Sequence, residues 1–284
     1  MSFQINNLAA WEYRKSLQAD CANCFGLCCT ALHIVASSDF AIDKPAGVPC
    51  PNLQSDFRCQ IHSELRGKGY KGCTVFDCFG AGQQVSQITF NGQDWRESKQ
   101  VAEKMFSVFP VMVQLYEMLA YVSEALSYKV PQDLQKELTY QLNELESLTN
   151  LEAENLLSLN IMELRMPVNE LLSKTSTHIR STITNYIPDK RKLDHRGADW
   201  IGKNAKGKDL RAANFRGAYL IAADLKDADL RAVDFIGADL RDANLEGADL
   251  STSMFLTQMQ INSAKGNKQT QLPSYLVQPS HWAS

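Results

Sequence analysis

The reactive side chains of this sequence are its thiols. All eight cysteines lie between Cys21 and Cys78. They run Cys21-x2-Cys24-x3-Cys28-Cys29, then Cys50-Pro51-Asn52-Leu53, Cys59-x-Ile61-His62, Gly72-Cys73 and Asp77-Cys78-Phe79-Gly80-Ala81-Gly82-Gln83. Two cysteines separated by two residues can share a metal ion, because a tight turn aims both sulfurs inward. Cys21, Cys24, Cys28, Cys29, Cys50, Cys59, Cys73 and Cys78 are therefore the candidate ligands. Four disulfides would need an oxidising compartment. The opening Met1-Ser2-Phe3-Gln4-Ile5 has no basic segment leading into an apolar one, so no secretory signal is expected and a cytoplasmic setting is. Redox-active thiols without a metal are the remaining alternative.

Metal identity stays open at this level. Four to seven thiolates suffice for one zinc site, two zinc sites or one iron–sulfur cluster, and thiolate chemistry does not choose among them. Zinc would staple a segment too small to hold a large core. An iron–sulfur cluster would make the module a redox or sensing device. The run Phe79-Gly80-Ala81-Gly82-Gln83 could bring backbone N–H groups to cluster sulfides, which leans the expectation slightly to iron–sulfur. Cys28 and Cys29 are adjacent and would strain one chelate ring, so one of them should face away or serve a second metal. His62 has ligand spacing after Cys59, with a surface or packing role as the simpler reading; His33 reads as a strand residue in Ala31–Val35. Asp56 and Asp77 read as turn residues, and Gly80-Ala81-Gly82 lacks the strand and helix flanks of a phosphate loop.

The order CxxCxxxCC, CPxL, CxIH and a later cysteine resembles the CxxCxxCC family, a zinc- or iron-chelating domain. The matching positions are Cys21, Cys24, Cys28, Cys29, Cys50, Cys59 and Cys73, within roughly residues 20–80. The family usually carries an aromatic residue after the Ile and Arg-Pro before its last Cys, where this chain has His62 and Lys71-Gly72. The resemblance implies metal chelation and leaves the reaction, if any, undefined.

The elements around the cysteines divide the chain by composition. Of 284 residues, 44% are hydrophobic and 21% charged, which argues against wholesale disorder. Residues 1–95 hold 7 Lys/Arg against 8 Asp/Glu, residues 96–179 hold 7 against 12, and residues 180–284 hold 15 against 12. Overall net charge is −3, too mild for electrostatic nucleic-acid binding, and no apolar run is expected to span a membrane. Residues 1–95 read as the Cys-rich metal-binding domain and 96–187 as a helical hairpin or bundle. Residues 188–265 read as a repeat and 266–284 as its C-terminal cap or tail.

In the helical segment, Val101, Met105, Val108, Met112, Leu115, Leu119, Val122 and Leu126 line one face, with Pro110 a kink or break. Pro131 should open a second helix through Leu148, and Asn150–Leu172 a third, interrupted near Pro167. Thr175–Lys192 reads as a linker. These stripes read as core; a homodimer through a helical pair is the alternative.

From residue 196 the chain repeats every five: RGADW, IGKNA, KGKDL, RAANF, RGAYL, IAADL, KDADL, RAVDF, IGADL, RDANL, EGADL, STSMF. A repeat this short must be a solenoid, each unit burying its apolar residue against its neighbours. The segment resembles the pentapeptide-repeat family, which implies a right-handed, four-sided β-helix with four pentapeptides per coil. Phe215, Phe235 and Phe255, spaced by twenty, would then form one column. About three coils are expected, irregular at 201–208, where Ala205 replaces the large residue and Lys203 and Lys208 the small one. Asp199, Asp209, Asp224, Asp229, Asp234, Asp239 and Asp249 should point outward beside Lys and Arg and neutralise them. Leu272, Tyr275 and Leu276 could close the open end.

The fold class is thus mixed α and β. The expected role is a metal-binding scaffold, interaction or sensing module with an unknown protein partner and no nucleic-acid or membrane partner. An iron–sulfur or thiol redox enzyme is the first alternative, and a topoisomerase-directed DNA mimic the second. No Ser/His/Asp grouping, zinc-protease helix or carboxylate pair marks a hydrolase.

Overall fold

The computed structural model describes residues 6–184 and 193–282. The chain divides into two compact units. One comprises Met1–Trp11, Glu124–Gln135 and Leu171–Ser284; the other comprises Glu12–Ser123 and Lys136–Glu170.

Four short helices, α1 (Leu8–Ser16), α2 (Leu27–Thr30), α3 (Lys71–Val75) and α4 (Ala81–Gln83), precede the long α5 (Lys99–Ser127), α6 (Gln132–Thr149) and α8 (Ile161–Thr184), with a short α7 (Ala153–Leu157) between the last two. Met105, Val108, Met112, Leu115 and Leu119 recur three and four apart on α5 and are fully buried, as amphipathic periodicity requires. Pro110 and Pro167 lie inside continuous helices, so neither breaks its element. Helix α8 runs on to Thr184, which replaces the first part of the expected linker; Ile187-Pro188-Asp189 lies outside the described residues. By length and composition α5 is apolar enough to cross a membrane, correcting the expectation that no run is. Its apolar side chains are nevertheless largely buried within the fold.

The repeat is built from parallel bridges between residues twenty apart: Asp194–Asn214, Asn214–Asp234, Asp234–Met254 on one side, Asp209–Asp229–Asp249 on another. Four pentapeptides per coil follow directly. Among the described residues no extended strand forms; each side contributes one bridging residue between turns, because a five-residue side leaves no room for a longer strand. Residues 201–208 keep full register, with Asn204 bridged to Asp224 and Ala205 buried, so the expected irregularity is absent. Lys203 and Lys208 simply point outward. The column Asn204, Asp224, Asn244, Lys265 has four levels separated by three turns, the last step reaching beyond the pentapeptides to Lys265.

Most corners are closed the same way; Tyr219 and Met254 stand where the others carry Asp or Asn. The Asp or Asn before the apolar residue accepts a hydrogen bond from the backbone N–H two residues on: Arg211 to Asp209 (3.2 Å), Lys226 to Asp224 (3.2 Å), Ile236 to Asp234 (3.0 Å), Arg241 to Asp239 (3.1 Å). Their role is therefore to hold turns, and Asp234, expected outside, is only 1% exposed. The turn then passes through a left-handed residue at every fifth position, from Gly197 through Ala212, Ala222, Asp227, Ala232 and Asp242 to Gly247. A side chain there costs about 1 kcal/mol.

Inside, Phe215 stacks on Phe235 with centroids 6.0 Å apart and planes at 12°. His195, twenty residues earlier, stacks on Phe215 at 4.9 Å and extends the column. Phe255 is buried but leaves the helical path: its φ is +57°, and its N–H donates to the Glu124 carboxylate (2.6 Å), which also accepts from the Tyr128 hydroxyl (2.7 Å). Helix α9 (Gln258–Ser263) follows, opened by a Thr257–Gln260 capping box. Gln260 donates to the carbonyls of Phe235 and Ala238, both at 2.8 Å. Leu272 and Leu276 pack on the solenoid core, where Trp282 is buried with its indole N–H on the Ala264 carbonyl (3.1 Å).

Candidate metal centre

The cysteine segment is loop joined to very short helices, and aromatic residues beside the cysteines anchor it. Phe25 packs on Phe57 (4.9 Å), Phe57 on Trp95 (6.0 Å) and Trp95 on Phe106 of α5 (5.3 Å); Phe76 meets Phe109 (6.5 Å). The Trp95 indole donates to the Phe25 carbonyl (2.9 Å). Residues 83–87 clamp the first loop: Gln83 donates to the Gln18 carbonyl (2.9 Å), Gln87 to the Asn23 carbonyl (2.9 Å), and the Ser86 hydroxyl accepts from the Phe25 N–H (3.0 Å).

All eight thiols are free. Cys21 is exposed, on a single turn (Cys21–Asn23) capped by the Asp20 carboxylate; Cys24 is half-buried just after it. Cys28 and Cys29 are on α2 (Leu27–Thr30), with Sγ atoms 4.0 Å apart. Cys50 is buried, and its N–H donates to the Cys29 carbonyl (2.9 Å). Cys59 is bridged to Leu53, Cys73 is on α3 (Lys71–Val75), and Cys78 precedes the turn at Gly80. A Cβ on Gly82 would lie 2.7 Å from Cys24 Sγ and 3.7 Å from Cys78 Sγ, so only a bare backbone fits between these thiols.

The thiols sense one another. The hydrogen bond with Cys29 holds the proton on Cys28, whose value lies well above the ordinary one; burial and the Cys29, Cys24 and Cys78 thiols add to this. That same bond makes Cys29 the one thiol lowered, helped by the Lys44 ammonium against the cost of burial. Burial pushes Cys73 up to about 12, with Cys29, Cys50 and Cys59 contributing. Burial pushes Cys78 up to about 11 against the N–H groups of Gly82 and Gly80. Cys24, Cys21 and Cys59 are also raised, first by burial.

Lys44 is the feature sequence reasoning missed. It is 2% exposed, and its ammonium donates to the carbonyls of Leu32 (2.6 Å), Val48 (2.9 Å), Thr30 (3.1 Å) and Pro45 (3.1 Å). Nothing in Ile42-Asp43-Lys44-Pro45 marks a buried cation; only the carbonyls converging from other turns do. His62 is exposed, and His33 precedes an isolated Ile34–Lys44 bridge rather than sitting in a strand.

As the side chains stand, no three of His, Cys, Asp or Glu among the described residues are close enough to hold a metal ion. The donor chemistry fits a soft divalent ion or a cluster, since thiols are the ligands such groups take. The 4.0 Å Cys28–Cys29 separation is near the roughly 3.8 Å edge of a tetrahedron with ~2.3 Å metal–sulfur bonds.

Comparison with known proteins bears on the chain as a whole. Pentapeptide repeats, in eight copies, match residues 213–251. Among solved structures, a pentapeptide repeat protein of the Arabidopsis thaliana thylakoid lumen is 31% identical over 28% of this chain and 55% of its own, with a TM-score of 0.14. One from Nostoc PCC 7120 is 21% identical over 35% of this chain and 84% of its own, with a TM-score of 0.17. An uncharacterized Bacillus subtilis protein, YybG, is 55% identical over 94% of this chain and 95% of its own length. The chain belongs to the family of that protein, and its C-terminal segment is a pentapeptide-repeat solenoid.

Proposed function

We propose that this is a cytoplasmic metal-binding protein in which a thiolate site, for Zn2+, iron or an iron–sulfur cluster, orders the cysteine module and reports metal or redox status, while the solenoid serves as an interaction scaffold. One observation carries this reading: eight free cysteines are gathered in one short segment that also holds a buried lysine. A zinc ion would supply folding energy there, and an iron–sulfur cluster a redox centre. Cys29, lowered by its hydrogen bond from Cys28 and by Lys44, is the thiolate that would bind first.

The solenoid surface supports scaffolding over DNA mimicry. Its charges pair with each other: Arg211 with Asp209 (2.7 Å) and Asp229 (3.6 Å), Arg231 with Asp249 (3.4 Å), Lys226 with Glu246 (2.7 Å). A paired surface presents little of the unbroken negative field that would imitate a duplex.

The test is elemental analysis with an absorption spectrum on anaerobically purified protein. Stoichiometric zinc, or iron with acid-labile sulfide, is the expected result, and it also decides between stapling and redox roles. Metal-free protein whose thiols all titrate with an ordinary thiol reagent would overturn the reading.

A further inference from the structure

We propose, resting on the scaffold reading of the solenoid, that one side of its first two coils is a docking surface for an acidic segment of another protein. The side carries Ile201, Tyr219 and Ile221, and Lys203, Lys206 and Lys208 follow on the next two sides of the first coil. The segment it fits alternates carboxylates with apolar side chains.

A strict repeat makes departures from its own rule visible. In the column Asp199, Tyr219, Asp239, the two acids close their corners by accepting from the N–H groups of Ile201 (3.0 Å) and Arg241 (3.1 Å). Tyr219 has no oxygen close enough to its own backbone to do the same for Ile221. Met254, which also stands in place of Asp or Asn, is buried, whereas Tyr219 is 53% exposed and gains no packing in return. Ile201 is 54% exposed, and Ile221, one coil on, is half-buried. In most other pentapeptides that place holds a cation: Arg196, Arg211, Arg216, Lys226, Arg231 and Arg241. An exposed ring and two isoleucines thus share one side where the repeat elsewhere sets a charge pair. Local rules broken without a structural gain, and apolar side chains clustered in solvent, are both marks of a binding surface.

The charges beside it define the partner. Those same six cations each pair with an acid of the solenoid. Among the described residues Lys203, Lys206 and Lys208 pair with none; the Lys203 ammonium has only the Trp200 ring, 5.4 Å away. Lys206 stands twenty residues before Lys226, whose ammonium is already taken by Glu246 (2.7 Å), so cation follows cation in that column. Lys203 and Lys208 occupy the small-residue position, filled one coil on by the buried Ala223 and Ala228, yet both are exposed. Asp199 is the acid of the apolar side in this coil, one against three lysines. Apolar area next to uncompensated positive charge complements a segment that is acidic and partly apolar. The two isoleucines favour aliphatic side chains over nucleic-acid bases, which bind by stacking on rings.

The experiment follows, by fluorescence anisotropy, a short labelled peptide alternating Glu with Leu and Phe as it binds the full-length protein. Binding is expected, weakening about tenfold or more from low to high salt. Tyr219→Asp restores the repeat's own corner hydrogen bond, so this variant should melt no lower than the parent and still lose about tenfold or more in affinity. Lys203→Glu combined with Lys206→Glu should lose at least as much. Affinity unchanged in Tyr219→Asp overturns this face and leaves the solenoid a scaffold through another. No binding by the parent protein overturns the proposal and counts against the scaffold reading itself. Tighter binding of a single-stranded oligonucleotide than of the peptide, or a dimer that Tyr219→Asp dissociates, also overturns it, giving the face to nucleic acid or to a second copy of this chain.

Discussion

The solenoid and the cysteine segment solve the same problem, holding a chain that has few regular hydrogen-bonded elements, by opposite means. In the solenoid every residue meets its equivalent twenty positions away, so packing, corner hydrogen bonds and inter-coil bonds recur and are self-sufficient. In the cysteine segment no contact repeats. Phe25, Phe57 and Phe76 anchor it, Lys44 gathers four carbonyls, and all eight thiols are free. The first architecture repeats its own contacts; the second gathers its thiols and a buried cation from separate loops.

The sharpest way to break that contrast is to remove metal. Chelation under reducing conditions should abolish hydrogen-exchange protection across residues 21–82, by on the order of a hundredfold or more, and leave residues 205–250 unchanged. Equal loss in both, or in neither, would erase the distinction. The converse lesion is Phe235→Ala, which empties the middle of the ring column; denaturant unfolding should show a loss of about 3–5 kcal/mol with metal content preserved. Lys44→Met leaves four carbonyls without their cation and should cost about 2–3 kcal/mol, read as a lowered melting temperature of the cysteine segment.

Smaller effects probe the solenoid's regularity. Ala222→Gly relieves a left-handed alanine and should raise stability by about 1 kcal/mol, the reverse of what a glycine does in a helix. Arg211→Ala should cost no more than about 1 kcal/mol, since its pairs are partly solvated. The pH response follows from the same pairs. Hydrogen bonds from arginines hold Asp194, Asp209 and Asp239 below the usual carboxylate range. Carboxylates depressed in the folded state contribute fully above their unfolded value, near pH 4, and lose that contribution as pH falls through the folded one. Melting temperatures of the solenoid should therefore be level from pH 7 to pH 5 and fall at pH 3.

Legibility followed the same divide. The period of five marks the central apolar and small positions, while the four-sided coil, and with it the Phe215–Phe235 column, is what the resemblance to the pentapeptide-repeat family implies. His195 was missed from that column because a histidine does not announce a ring-stacking site, and Asp234 was misplaced because its type matches its exposed equivalents while Phe-side packing and Arg216 cover it. Propensity alone predicts a kink or break at Pro110 and an interruption near Pro167, yet both helices run through. In the cysteine segment the ligand types were plain, but Lys44, the Gly82 approach and the grouping of thiols depend on loops converging from distant positions. Spacing along a chain carries no record of that convergence.

A further consequence concerns insertions and deletions. Because each coil takes twenty residues over four sides, removing one pentapeptide turns everything downstream by a quarter revolution. A five-residue deletion between Phe215 and Phe235 would carry the second ring to an adjoining wall and set it among leucines, while every five-residue motif still read correctly. A deletion of twenty would restore each wall and merely shorten the rod. Length changes in this segment should thus be tolerated in whole revolutions, a rule that no single substitution reveals.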